Sequence, residues 1–264
     1  MNIGFIGAGN MASAIIGGIL KNHVVEPAEV RASDPSEATR AKVSSELGIE
    51  VVNDNAAVSA WADILVMAVK PFMLQAAIDS ITDVVRPETT IVSIAAGKTR
   101  EWIGQAFGRE IKLVRVMPNT PALVGEGASG ICANERVSEE ELEQVLEIFR
   151  SVGTVEILTE PMIDVIGAVA GSTPAYVAMF VEALADAAVA EGMPRAQAYK
   201  IAAQAVAGSG KLLVQTGKHP GELKDMVCSP AGTTIEGVQI LEARGMRAGV
   251  MEAIRAAIDK TRRL

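Results

Sequence analysis

Over the first 158 positions, short unbroken apolar runs alternate with longer segments whose apolar residues recur every three to four places. Such a beat predicts β-strands alternating with amphipathic helices, hence a mostly parallel sheet covered by helices. Strands are predicted at 3–6, 30–33, 49–52, 64–69, 90–94 and 112–117. Added strands at 127–133 and 155–158 flank an acidic helix at 138–150. The first helix carries Ile15, Ile16, Ile19 and Leu20, and the second, at 36–47, is stopped by Gly48. Asn55 reads as the N-cap of a short helical turn ending at Ala60. Lys70-Pro71 closes a strand and opens a helix, proline being suited to the first helical position, and 100–107 forms the next helix.

Beyond position 158 no run reads as a strand, and helices are predicted at 163–170, 174–192, 194–215, 235–244 and 246–262. The chain is therefore expected to hold a dinucleotide-binding domain at 1–158 and a helical domain at 159–264. The 174–192 segment carries Val177, Phe180, Val181, Leu184 and Val189 with alanine at most other positions. Small apolar residues all round a helix suit packing across a dimer, the alternative being an internal core helix of a monomer. Glu182, Asp186 and Glu191 interrupt it, which counts against a membrane span.

Bulk properties narrow the choice of partner. A net charge of -8 argues against a nucleic-acid surface. Cys132 and Cys228 stand alone, away from any Cys/His cluster, so neither a zinc site nor a disulfide scaffold is expected. A reducing, cytoplasmic setting fits, and the strand that opens the chain predicts no signal peptide.

The strand–glycine–helix start, Ile6-Gly7-Ala8-Gly9-Asn10-Met11-Ala12, is the context in which a Gly-x-Gly-x-x-Ala pattern marks a dinucleotide site. Gly7 permits the tight turn, Gly9 lets a pyrophosphate approach, and Ala12 lets the helix pack on the strand. Small loops at later strand ends, Ala95-Ala96-Gly97 among them, suit a ligand lying across the carboxyl edge of the sheet. Asp34 closes the second strand, where an acid would meet the ribose 2′-hydroxyl of NAD. Ser33, Ser36, Arg31 and Arg40 nearby would instead suit the 2′-phosphate of NADP, and Asp34 would also serve as a helix cap. These readings stay open.

A second feature is Cys228-Ser229-Pro230-Ala231-Gly232-Thr233-Thr234, a turn opening a helix. It gathers backbone N–H groups and three hydroxyls in one place, a ready site for a carboxylate. His219, next to Pro220, reads as structural; His23 sits at a helix end; Glu182 and Asp186 share one helix face as surface or dimer-edge charges.

The whole length resembles the pyrroline-5-carboxylate reductases, which make proline by reducing a cyclic imine. The resemblance is carried by Gly7-Ala8-Gly9-Asn10-Met11, Ala68-Val69-Lys70-Pro71 and Ser93-Ile94-Ala95-Ala96-Gly97. It continues through Arg115-Val116-Met117-Pro118-Asn119-Thr120-Pro121, Gly171-Ser172-Thr173-Pro174-Ala175-Tyr176 and the Cys228 turn. It implies an α/β fold, with an N-terminal Rossmann-type mostly parallel sheet and a C-terminal all-helical dimerisation domain. It implies that Ile6, Gly7, Ala8, Gly9, Asn10, Met11, Ser33, Asp34, Asn55, Ala68, Val69, Lys70, Pro71, Ala95, Ala96 and Gly97 hold NADP, or NAD. Ser229, Gly232, Thr233 and Thr234, with Glu160, would hold 1-pyrroline-5-carboxylate, with Thr234 bonded to the ring nitrogen as the catalytic contact. No metal is implied. Self-association to a dimer, and in the family onward to decamers, is implied as well. Thr173 replaces the usual glycine and is expected to narrow the pocket; Cys228 replaces the usual serine or threonine.

Two other function classes compete. A β-hydroxyacid dehydrogenase would share the architecture but carry a lysine early in the helix after the Gly-rich run, and 174–179 has none. A non-enzymatic nucleotide sensor would have no need of Thr233-Thr234.

Overall fold

A computed structural model describes residues 1–263. Strands β1 (Ile3–Ile6), β2 (Val30–Ser33), β3 (Glu50–Val52), β4 (Ile64–Met67), β5 (Thr90–Ser93), β6 (Lys112–Met117), β7 (Gly127–Ala133) and β8 (Gly153–Ile157) form one sheet. Its order is β3-β2-β1-β4-β5-β6-β7-β8. Neighbours run parallel except β6 and β7. β1, β4 and β5 are buried at every position, which is why they read as unbroken apolar runs: a parallel sheet is covered on both faces. The strand order reverses between β1 and β4, and ligands of such sheets bind in the crevice at that carboxyl edge.

Six helices cover the sheet: α1 (Asn10–Lys21), α2 (Glu37–Leu47), α3 (Asn55–Trp61), α4 (Leu74–Asp79), α5 (Arg100–Phe107) and α6 (Glu139–Arg150). Ile15 and Ile19 of α1, Val43 of α2 and Phe149 of α6 pack with Ile3, Phe5, Val66 and Val92 on one face. Val58 of α3, Leu74 and Ile78 of α4 and Phe107 of α5 pack with Ile6, Leu65, Met67 and Ile91 on the other. Local chemistry sets the helix ends. Ser36, Thr99 and Ser138 accept first-turn N–H groups, and Gly48 and Gly108 stop α2 and α5 at φ +69° and +62°. One cap differs from expectation. Asp54, not Asn55, caps α3, its Oδ1 accepting from the Ala57 N–H at 3.0 Å. A carboxylate also suits the positive end of the helix, so Asn55 becomes the first helical residue and its amide is free for other work.

The helices of the remaining described residues are α7 (Glu160–Ala190), α8 (Arg195–Thr216), α9 (Pro220–Val227), α10 (Thr233–Ala243) and α11 (Met246–Thr261). Two expectations are corrected here. The helices predicted at 163–170 and 174–192 are one, α7, with Pro174 inside it. Proline removes one backbone donor, leaving the Ala170 carbonyl without its helical partner, and the Asn119 Nδ2 supplies a replacement at 3.0 Å. A helix, α9, follows His219, where none was predicted. His219 Nδ1 accepts from the Gly221 N–H at 3.0 Å and Pro220 takes the first position, so the cap rather than apolar periodicity starts α9.

The chain divides into two compact units, Met1–Gly171 with the end of the chain from Ile258, and Ser172–Ala257. In the second unit the buried cluster is only Ala185, Ala198 and Ala202. Met179, Ile201, Val214 and Ile240 are each more than half exposed, and α9, α10 and α11 bury no residue fully. Apolar surface on this scale marks an interaction face. By length and composition alone α7 could also cross a membrane.

Candidate active site

The glycine loop shows why each small residue is needed. Gly7 has φ +94°, donates to the Ser33 carbonyl at 2.8 Å, and lies where a Cβ would meet the Ala68 carbonyl oxygen at 3.0 Å. At Gly9 a Cβ would meet no protein atom within 4 Å, so the backbone there is open to a large neighbour. Gly9 caps α1 without a side-chain bond, leaving the first-turn N–H groups directed at that space. Ala12 is buried where α1 packs on the sheet.

Two clefts flank the loop. One, of about 340 Å³, is lined by Ile6, Gly7, Ser33, Asn55, Val69 and Ser80 among others. The other, of about 530 Å³, is lined by Gly9, Asn10, Met11, Ala68, Val69, Lys70, Pro71, Ala95 and Ala96, with Pro118 and Thr120. Each has the size of a small-ligand pocket, and together they suit the two halves of a dinucleotide bridged at a helix N-terminus. Ala8 is buried beneath the loop, and Gly97, at φ +73°, turns the chain just past the second cleft.

Beside the first cleft a chain of hydrogen bonds holds Asn55. The Ser33 hydroxyl donates to its Oδ1 at 2.6 Å, its Nδ2 donates to Ser80 Oγ at 3.0 Å, and Ser80 donates to the Ala77 carbonyl at 2.7 Å. Asp34 Oδ2 accepts from the Ala8 N–H at 3.0 Å and Oδ1 from the Ser36 N–H at 2.9 Å. The acid thus braces two loops. Arg31 pairs with Glu50 at 2.8 Å and stacks on Trp61, 4.4 Å from the ring centroid, so it is committed elsewhere. Arg40 Nη1 donates to the Asp34 and Pro35 carbonyls at 3.0 and 2.9 Å, which holds its guanidinium at the end of β2.

Glu160, the first residue of α7, is taken up by arginines. Its carboxylate accepts from the Arg100 backbone N–H at 2.6 Å and from Arg100 Nε at 2.7 Å. Arg115, buried in β6, reaches it at 3.4 Å and Asp164 at 2.7 Å. Burial alone would raise the Glu160 pKa, but the Arg100 bonds and the two positive charges outweigh it and hold the carboxyl below its ordinary range. Burial also pushes up the neighbouring Cys132 thiol, against the pull of Arg100.

In the second unit, the predicted substrate turn is formed. The Ser229 carbonyl accepts from the Gly232 N–H at 3.0 Å, with Pro230 second and Ala231, at φ +56°, third, the pattern of a type II turn. Ala231 holds a left-handed conformation that costs a non-glycine residue about 1–2 kcal/mol, a form of strain that clusters at ligand sites. A Cβ at Gly232 would collide with Ser229 Oγ, so glycine alone lets that hydroxyl lie against the start of α10. Gly232 caps α10 with no side-chain bond, and Ser229, Thr233 and Thr234 are exposed around it.

The cleft-lining Pro118 and Thr120, the Arg100, Arg115 and Asp164 side chains around Glu160, and Asn119 were not among the predicted site residues. The stretch from Arg115 to Pro121, a proline-flanked loop at a strand end, was the available signal for the first and last of these. Among the described residues no group of three or more His, Cys, Asp or Glu could hold a metal ion.

Comparison with known proteins gives a separate match for each half of the chain. Residues 160–264 match the family model described as pyrroline-5-carboxylate reductase dimerisation, which accounts for the open apolar faces of the second unit by self-association. Residues 2–97 match a model described as NADP oxidoreductase, coenzyme F420-dependent. The chain is 48% identical over 262 residues to the pyrroline-5-carboxylate reductase of Escherichia coli (strain K12), covering 99% of this chain and 97% of the relative. Its fold is similar to that of a pyrroline-5-carboxylate reductase from Coxiella burnetii, with a TM-score of 0.94 and 32% identity over 99% of this chain and 97% of the other. It is also similar to a Plasmodium falciparum pyrroline carboxylate reductase with NADP bound, with a TM-score of 0.87 and 31% identity over 99% and 97% of the two chains. With 48% identity over 99% of its length to a reductase of that name, and with residues 160–264 matching the family's dimerisation model, the chain belongs to the pyrroline-5-carboxylate reductase family.

Proposed function

We propose that this protein reduces 1-pyrroline-5-carboxylate to L-proline, the last step of proline biosynthesis, with NADPH as cofactor and NADH as the alternative. The observation that carries the reading is the likeness over 99% of the chain to reductases of that name. It is supported by the glycine loop between two clefts and by the strained turn that opens α10.

Bound in the clefts, the reduced nicotinamide supplies the hydride. The chain's own residues have the smaller task of placement. A protonated C=N is already electrophilic, so hydride reaches carbon, the proton stays on nitrogen, and the product is a secondary amine. Positioning of this kind is worth ~7–11 kcal/mol of barrier. The start of α10, with the Gly232 to Thr234 N–H groups and the Ser229 hydroxyl, would hold the substrate carboxylate. The Thr234 hydroxyl oxygen would accept from the protonated ring nitrogen and fix its orientation; as a lone hydroxyl it is too weak to serve as an acid. Among the described residues Lys70 is the one charged group lining the larger cleft, which suits a reaction that needs dry surroundings more than acid–base groups. For Glu160 the reading is support: held by Arg100 and Arg115, it fixes the first turn of α7.

On this reading residues 1–158 serve the cofactor and 159–264 serve dimerisation and substrate, with decamers as a further level of assembly. A soluble enzyme of the cytoplasm fits a net charge of -8 and two free cysteines. The test is product analysis: proline should appear mole for mole with NADPH consumed, and NADPH loss without proline would refute the assignment.

A further inference from the structure

Asn119 is buried, and both ends of its amide are used. Nδ2 donates to the Ala170 carbonyl at 3.0 Å, and Oδ1 accepts from the Ala128 N–H at 2.8 Å. The Ala170 carbonyl needs that donor because the residue four places on, Pro174, has no N–H to give it. Its chain neighbours Pro118 and Thr120 line the larger cleft beside Gly9 and Met11. The next residue back, Met117, packs against the same stretch of α7: a Cβ on Gly167 would lie 3.3 Å from its Cε. Residues 117–120 are thus fitted to α7 by one hydrogen bond and one close apolar contact, in the turn just ahead of Ser172-Thr173-Pro174.

We propose that Asn119 is a positioning residue for the reduction: by replacing the donor that Pro174 withholds from Ala170, it fixes the cleft-lining loop to α7. A side chain that merely filled the space would need neither a donor nor an acceptor. One this short that offers both, in opposite directions, is asparagine. Helix α7 would otherwise carry a carbonyl without its helical partner at this point, and the loop would lose its anchor. The proposal rests on the reductase reading for its kinetic consequence, but not for the pairing itself.

A double-mutant cycle tests it, with Asn119→Ala, Pro174→Ala and the double variant compared with the parent enzyme in kcat for pyrroline-5-carboxylate, in NADPH affinity and in thermal midpoint. Asn119→Ala should lower kcat about tenfold or more while NADPH affinity stays within about twofold. In the Pro174→Ala background a backbone N–H returns to Ala170 and displaces Asn119 from it, so the anchor is already released: Pro174→Ala alone should lower kcat, and adding Asn119→Ala should lower it by no more than about threefold further; the lost Ala128 bond is common to both backgrounds and cancels from the coupling. Equal losses in the two backgrounds, an unchanged kcat, or NADPH affinity falling in step with kcat would each overturn the proposal. Should Asn119→Ala fail to fold, a folded and active double variant supports it and an unfolded one contradicts it. A parent with no turnover would sink the reductase reading alone, because the cycle read in thermal midpoint still decides whether Asn119 and Pro174 are coupled.

Discussion

The carboxylate of Asp34 accepts a hydrogen bond from the backbone N–H of Ala8 at 3.0 Å, so the acid that ends β2 holds the glycine loop in shape. Its other oxygen takes the Ser36 N–H. This bears on cofactor choice, since a carboxylate engaged by both loops is a scaffold first. Asp34→Ala should therefore weaken NADPH and NADH together, each by roughly 10- to 100-fold, as expected for losing a charged hydrogen bond. Titration with both cofactors checks it. A loss confined to NADH would mean the carboxylate meets the ribose 2′-hydroxyl instead.

Thr234 sits in the first turn of α10 and is not among the residues lining the two clefts beside the glycine loop. Thr234→Ala should lower kcat by about 10- to 100-fold through loss of one hydrogen bond to a cationic nitrogen, with dinucleotide affinity within about twofold. Steady-state kinetics with parallel cofactor titrations separates the two. A large fall in cofactor binding would place Thr234 in the wrong half of the site.

Gly232 is required by space and not by its φ of -82°. Gly232→Ala would drive a methyl group into Ser229 Oγ and open the turn, so the KM for pyrroline-5-carboxylate should rise while the KM for NADPH holds. An additional Ser229→Ala removes the colliding atom and should recover part of the loss. If the pair behaves no better than Gly232→Ala alone, the crowding argument fails.

The Glu160 carboxyl is depressed below its ordinary 4.5 by bonds to Arg100 that outweigh its burial. A group with a lowered folded-state pKa gives stability that is fully present above the unfolded value and is lost as pH falls through the folded one. The stability gap between the parent and Glu160→Gln should thus be constant from neutral pH down to about 5 and close below the ordinary 4.5. Urea midpoints at fixed protein concentration measure it. A gap that widens on acidification would contradict the assignment of Glu160 as the stabilising partner of Arg100.

Self-association is needed to cover Met179, Ile201, Val214 and Ile240. Sedimentation at micromolar concentration should show dimers or larger assemblies, and a lone 27.6 kDa species would leave those faces without an explanation.

The sheet was legible in the sequence because parallel strands buried on both faces are unbroken apolar runs, as in β1, β4 and β5. Helix α5 and strand β6 match their predicted bounds because Thr99, Gly108 and Pro118 punctuate them chemically. The Asp54–Asn55 pair misled because both residues cap helices well, and only the competing bonds to Ser33 and Ser80 decide between them. The continuity of α7 was hidden for a deeper reason: Pro174 is locally a helix breaker, and its remedy, Asn119, bonds to a residue 51 positions away. The arginines around Glu160 were hidden in the same way, since Arg100 and Arg115 reach it across 60 and 45 positions. The threonine turn could be read because its chemistry is contiguous in the chain.

The most direct measurement is the initial rate of the purified protein with pyrroline-5-carboxylate, NADPH or NADH, and a 3-hydroxy acid with the oxidised cofactors as comparator. The account predicts cofactor oxidation with proline as product and no turnover of the hydroxy acid. No reduction of pyrroline-5-carboxylate with either cofactor at neutral pH would contradict it.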